Sequence, residues 1–198
     1  MRRLARSAVA VVVLSALVGG ACSGGDDDEA DGGALPGYAL ALTGAEVHAV
    51  RLPPPPFPED VKAAVLATLN TYLASAVVQP LRTGRPPGSL EALFTAAAAP
   101  RVGGPDRAAL VEEGTPVSGE VRKDRASVKL TALTGPGGEV VVVAAQLDVS
   151  LLVSSDAARL AVVRAGDLAL VAEGSTWRID SYDLRTQRDS PPPPGGPR

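Results

Sequence analysis

From residue 141 to 153 every odd position is apolar: Val141, Val143, Ala145, Leu147, Val149, Leu151 and Val153. The even positions turn polar partway along, at Gln146, Asp148, Ser150 and Ser154. A period of two sustained over that length excludes a helix and specifies a long strand with one buried face. Residues 126–133 form a strand before it, joined through the turn Gly135-Pro136-Gly137-Gly138. Residues 160–172 continue the sheet after it, with a bulge expected near Ala165-Gly166, where the alternation falters. Gly174 turns the chain into a last strand over 176–187. There Trp177 and Ile179 face inward, and a bulge at Asp180-Ser181 brings Tyr182 and Leu184 to the same side.

The first half carries the other period. Pro58-Glu59-Asp60 is a helix start, with proline in the first turn and two acids at the positive end of the dipole. Val61, Val65, Leu69, Tyr72, Leu73 and Ala76 then predict an amphipathic helix over 59–78, closed by Pro80. Ser89 is read as the cap of a second helix through Ala98, with Leu90, Leu93, Phe94 and Ala97 on one face and Pro100 ending it. Asp106 is read as the cap of a third, to Glu113, closed by Gly114. Helices first and long strands after them predict an α+β domain. Its N-terminal helices pack on one face of a curved, mainly antiparallel sheet of four to five strands.

This order resembles the NTF2-like (cystatin-like α+β cone) superfamily. The resemblance is carried by the long first helix, the short helices around Leu90-Phe94 and Asp106-Leu110, and the strand meander. That meander ends in Gly174-Ser175-Thr176-Trp177-Arg178-Ile179-Asp180, and a closing Gly-x-x-Trp-x-Ile strand is common in lipid-anchored members, including lipoproteins of high-GC Gram-positive bacteria. It covers about residues 45–188 and implies a cone-shaped fold. Enzymes of the superfamily place an Asp or His base and a Tyr donor inside the cone. Here the inward ladder of the longest strand is wholly apolar, so no catalytic residue carries over. Asp148 is the best isolated base and Tyr72 or Tyr182 the best donor, but Asp148 lies on the face opposite the ladder.

The N-terminus states an address. Arg2, Arg3 and Arg6 precede an apolar run, residues 7–18, of 12 residues, against the ~20 a membrane-crossing helix needs. With the small residues Gly19-Gly20-Ala21 ahead of Cys22, the segment reads as a cleaved signal peptide, cut between Ala21 and Cys22. The arrangement resembles a bacterial lipoprotein signal, which implies a lipid on the Cys22 sulfur; Gly19 departs from the branched residue usual there. An ordinary secretion signal is the alternative. Cys22 is the sole cysteine, so no disulfide forms within the chain, and a plain secreted protein would carry a thiol without a partner. Residues 22–44, with Asp26, Asp27, Asp28, Glu29 and Asp31, read as an acidic flexible linker, and 189–198 as a disordered Pro/Gly tail.

Several chemistries are excluded. Loss of the three signal arginines takes the net charge from −3 to −6, and the five linker acids account for all but −1 of it. A neutral domain lacks the basic footprint nucleic acid requires. One histidine, His48, in a segment of weak strand character, and one cysteine cannot build a zinc cage. No cofactor or metal is expected. Glu112-Glu113 read as solvent-facing acids at a helix end. Tyr72, Phe94 and Trp177 are pocket or core anchors. Val140, Val142, Ala144 and Leu152 make the outer sheet face more apolar than a solvated face needs. The expectation is a membrane-tethered, non-catalytic module binding a protein partner or forming a homodimer. The alternatives are a small-molecule or lipid cavity behind the 141–153 ladder and, after it, an isomerase- or cyclase-like enzyme.

Overall fold

The structure, a computed structural model, describes residues 35, 37–49, 54–174 and 176–190. The signal segment, Ala21, Cys22, the acidic run behind them and the tail beyond residue 190 lie outside these residues. Five strands form one sheet in the order β1-β2-β3-β4-β5: β1 Ala41–His48, β2 Glu120–Thr134, β3 Val140–Ser154, β4 Arg159–Glu173 and β5 Thr176–Asp189. β2 to β5 are the antiparallel meander that the alternation predicts. The sheet as a whole is mixed, because β1 pairs parallel to β2, from Ala41↔Ser127 to His48↔Leu133. The entire helical region separates these two strands, and a connection of that length permits a parallel return. β1 begins inside the stretch read as linker: Leu40 is buried, its N–H donates to Asn70 Oδ1 at 2.9 Å, and the Tyr38 hydroxyl donates to the Val121 carbonyl.

The long helix runs over Glu59–Thr83, past the proline expected to close it. Leu73–Val78 widens into a π turn, in which the Gln79 N–H donates to the Ala74 carbonyl, and Pro80 enters at the start of the last α segment. Pro80 has no N–H to offer the Ala76 carbonyl, its usual partner four residues back. That carbonyl instead accepts the Glu112 N–H at 2.8 Å. Gly84, at φ +68°, ends the helix by donating to the Pro80 carbonyl. By length and apolar composition this helix could cross a membrane, but it lays Val65, Leu69, Leu73, Val77 and Leu81 in the domain core.

The other two expected helices are shorter. Glu91–Leu93 is a single 3₁₀ turn and Ala99–Val102 one α turn, with Pro100 near its start rather than after its end. Between them Phe94 is extended and bridges Ile179, and the Thr95 N–H donates to the Ile179 carbonyl at 2.9 Å. Pairing with β5 overrides the helical pattern there. The third helix is Arg107–Leu110, and the Asp106 side chain makes no capping bond because Tyr182 and Arg101 engage it.

All these helical pieces lie against one face of the sheet, where Val128, Leu130, Val143, Leu147, Leu151, Leu168 and Ile179 are buried. The bulge in β5 is as expected: Ala169 pairs with Ser181 and Leu170 with Ile179, which leaves Asp180 between them and brings Tyr182 and Leu184 onto the core. β4 has no bulge at Ala165-Gly166. Its register with β3 is unbroken, and its even positions stay inward through Leu160, Val162, Arg164, Leu168 and Leu170. The alternation falters in the sequence because two inward positions hold Arg164 and Gly166. Gly166 adopts φ +141°, and a Cβ there would stand 2.0 Å from the Asp183 carbonyl oxygen. Only glycine lets β4 and β5 approach this closely.

Candidate functional site

Tyr72, Phe94 and Trp177 all belong to the core, at 1%, 0% and 8% exposure. Phe94 sits between two edge-to-face rings, Tyr72 at 6.4 Å and Tyr182 at 6.1 Å between centroids. The odd positions from Val143 to Val153 are buried in the same apolar cluster, whereas Val141 at the strand end is exposed. Asp148 is on the opposite side of the sheet from Tyr72 and Tyr182. The structure therefore does not bring the suggested base and donors together.

A polar network lies where the pattern predicts only hydrocarbon. Arg164 projects inward from β4 and is fully buried. Its Nη1 donates to the Tyr72 hydroxyl (2.8 Å) and to the Leu110 and Ala109 carbonyls (2.8 and 3.2 Å). Its Nη2 donates to Glu112 Oε1 at 2.6 Å. Glu112, read from sequence as solvent-facing, is fully buried, and its second oxygen accepts Arg188 Nε and Nη2 at 2.9 and 2.8 Å. The Tyr72 hydroxyl in turn donates a hydrogen bond to the Leu110 carbonyl at 2.7 Å.

Burial pushes the Tyr72 phenol up, against the opposing pull of Arg164. Burial also works against the Arg164 charge, but Tyr72 and Glu112 outweigh it and hold the guanidinium above its ordinary value. The network ties the end of the 107–110 turn to β4 and, through Arg188, to the end of β5. Its three central side chains are sealed from solvent, so no substrate meets them while the fold is closed. The available signal was the continued period of β4 through residue 164, which required an inward arginine and hence a buried partner.

A second cluster lies at the rim of the inner face. The Tyr182 hydroxyl donates to Asp106 Oδ2 at 2.6 Å, Arg101 pairs with the same oxygen at 2.5 Å and stacks 5.3 Å over the Tyr182 ring, and Thr95 donates to Asp180. Burial and then the hydrogen bond to Asp106 push the Tyr182 phenol up to about 12. The same bond, with Arg101, holds Asp106 below the usual carboxylate range.

The outer face is built of rows that run across β2, β3, β4 and β5. One row reads Leu133, Val142, Val171, Arg178; another Lys129, Gln146, Asp167, Asp183; the next Ser127, Asp148, Ala165, Arg185. Leu133 is 43% exposed. Arg125 pairs with Asp148 at 2.8 Å and Lys129 with Glu46 at 2.8 Å, both near the surface. Lys129 holds Glu46 below its ordinary value, and Asp148 holds Arg125 above. Among the described residues Asp167, Asp183 and Arg185 form no ion pair. At the centre is an open depression of ≈ 370 Å³, lined by Thr43, Ser127, Lys129, Gln146, Asp148 and the backbone at Ala165-Gly166 among others. Among the described residues no three His, Cys, Asp or Glu side chains converge as metal ligands.

No family model matches this chain, and no curated protein or solved structure is similar to it.

Proposed function

We propose that this chain is a lipid-anchored extracytoplasmic module with an NTF2-like domain that acts by binding a partner across its outer sheet face, without catalysis. The observation that carries the reading is the asymmetry of the sheet. Every helical piece covers one face, and the other presents partly exposed apolar residues at Leu133, Val142 and Val171 together with Asp167, Asp183 and Arg185, which form no ion pair among the described residues. The inward polar groups support the non-catalytic part, since Tyr72, Arg164 and Glu112 are committed to one another and to backbone carbonyls. The anchor rests on the sequence around Cys22.

Site-specific photo-crosslinking tests the surface. A photoreactive residue at Ala144, on the outer face, is expected to yield a discrete protein adduct in cells. The same residue at Ala67, exposed on the long helix, is expected to yield none. Absence of an adduct at Ala144, or equal labelling at both, rejects the reading. Intact mass of the membrane-extracted chain tests the anchor: a lipid mass that disappears with release into the medium in Cys22→Ala supports it, and unchanged membrane association overturns it.

A further inference from the structure

We infer that the occupant of the outer face is a second copy of this chain. The two sheets lie face to face about a two-fold axis that runs along the strands between β3 and β4. This rests on the reading of that face as a binding surface and names its partner. A two-fold axis in that position lays β2 of one copy over β5 of the other and β3 over β4, and each row then meets its own reverse. Aligned sheets of this kind are the ordinary geometry of face-to-face β packing.

Most of the rows are complementary under that operation, the exception being the end of one row, where Leu133 comes over Arg178. Val142 meets Val171 of the second copy, and Leu152 meets Ala161. Ala144 meets Ala169, two small residues that let the sheets approach at the middle. Lys129 meets Asp183, and Arg122 meets Asp189. Arg185 comes over Ser127 at the mouth of the central depression, beside Asp148. No like charges meet across the interface in these rows.

The arrangement also answers a local oddity of the single chain. Asp167 and Asp183 are directly opposed across β4 and β5 and have no cation of their own among the described residues. Like charges directly opposed on neighbouring strands destabilise a sheet. The second copy places Gln146 and Lys129 over that pair.

The test is sedimentation equilibrium of the full chain in mild detergent, on the wild type and three variants. The wild type is expected to be a dimer. Lys129→Asp and Asp183→Lys each place like charges together twice per dimer and are expected to weaken association at least ~10-fold. The double variant K129D/D183K exchanges the charges and is expected to restore association to within about threefold of wild type. Both positions are exposed, so circular dichroism should report a native fold throughout; because Lys129 also pairs with Glu46, Asp183→Lys stands as the independent single variant. A monomeric wild type, single variants as dimeric as wild type, or a double variant that fails to recover would each overturn the inference. If the wild type is a monomer while Ala144 still crosslinks to another protein, the self-pairing fails and the binding surface stands. If Ala144 gives no adduct either, both fail.

Discussion

Arg164 and Arg125 stand on the same sheet and differ only in the face they choose. Arg164, on the inner face, is surrounded by a carboxylate, a phenol and two carbonyls, and the Arg164, Glu112 and Tyr72 side chains are shut off from water. Arg125, on the outer face, holds Asp148 at 2.8 Å, against 2.6 Å for Arg164 and Glu112, while both stay about half exposed. The geometry of the two pairs is alike, but their weight is not. In water-excluded surroundings a charge stripped of its partner is left uncompensated, whereas at the surface solvent takes the partner's place. The sheet thus spends its charged groups in two ways, as fixed internal ties and as exchangeable surface groups.

Four measurements would break or sharpen this contrast. The largest effect is expected from Glu112→Ala, which leaves Arg164 buried without its counter-charge and should cost about 3–5 kcal/mol in urea unfolding. The double variant Arg164→Met with Glu112→Leu should recover most of that loss, since an apolar replacement removes both desolvated charges together. A loss under 1 kcal/mol in the single variant would mean that the network is solvated in solution. Next comes Gly166→Ala. The positive φ and the Cβ position 2.0 Å from the Asp183 carbonyl should destabilise by about 1–3 kcal/mol or more, with the largest rise in amide exchange on β5.

The rim pair is the intermediate case. With the Tyr182 phenol raised from 10.0 to about 12, the neutral, donating form is the one the fold favours. Its contribution to stability is present below the unfolded value near 10 and is lost as pH climbs toward 12. The Asp106 contribution has the opposite sense: it is present above 3.8 and is lost as pH falls through the lowered folded value. Spectrophotometric titration of Asp106→Asn should move the Tyr182 ionisation down toward 10; an unmoved curve would dissociate the two residues. The smallest effect belongs to the outer pair. Arg125→Ala should leave the urea midpoint close to wild type, and a large shift would erase the contrast between the faces.

Much of this was legible in the residues, and the failures have physical causes. β3 was transparent because its inner positions are uniformly apolar, and the β5 bulge followed from needing Trp177, Ile179, Tyr182 and Leu184 on one side. The sequence of β4 suggests a bulge that is not there, because Arg164 and Gly166 interrupt an alternation that the backbone continues. The Ser89–Ala98 segment has a helical pattern, but the backbone of Phe94-Thr95 finds better partners on Ile179, 85 and 84 positions away in sequence. β1 contributes one buried residue, Val47, to its strand, too little for any period to register. The inner network joins residues 52 and 92 apart to Arg164, which no local pattern encodes. The outer surface was visible as a mixed face, but the pairing of its rows needed the register.

The parallel edge has a mechanical meaning. The chain enters the domain through β1, which is held only by β2 along its length and keeps a single buried side chain. Any tension arriving from the N-terminal side therefore loads the Tyr38 and Leu40 contacts and then the β1–β2 ladder before it reaches β3, β4 or the Arg164 tie. The first strand can yield and return while the remaining four keep their shape.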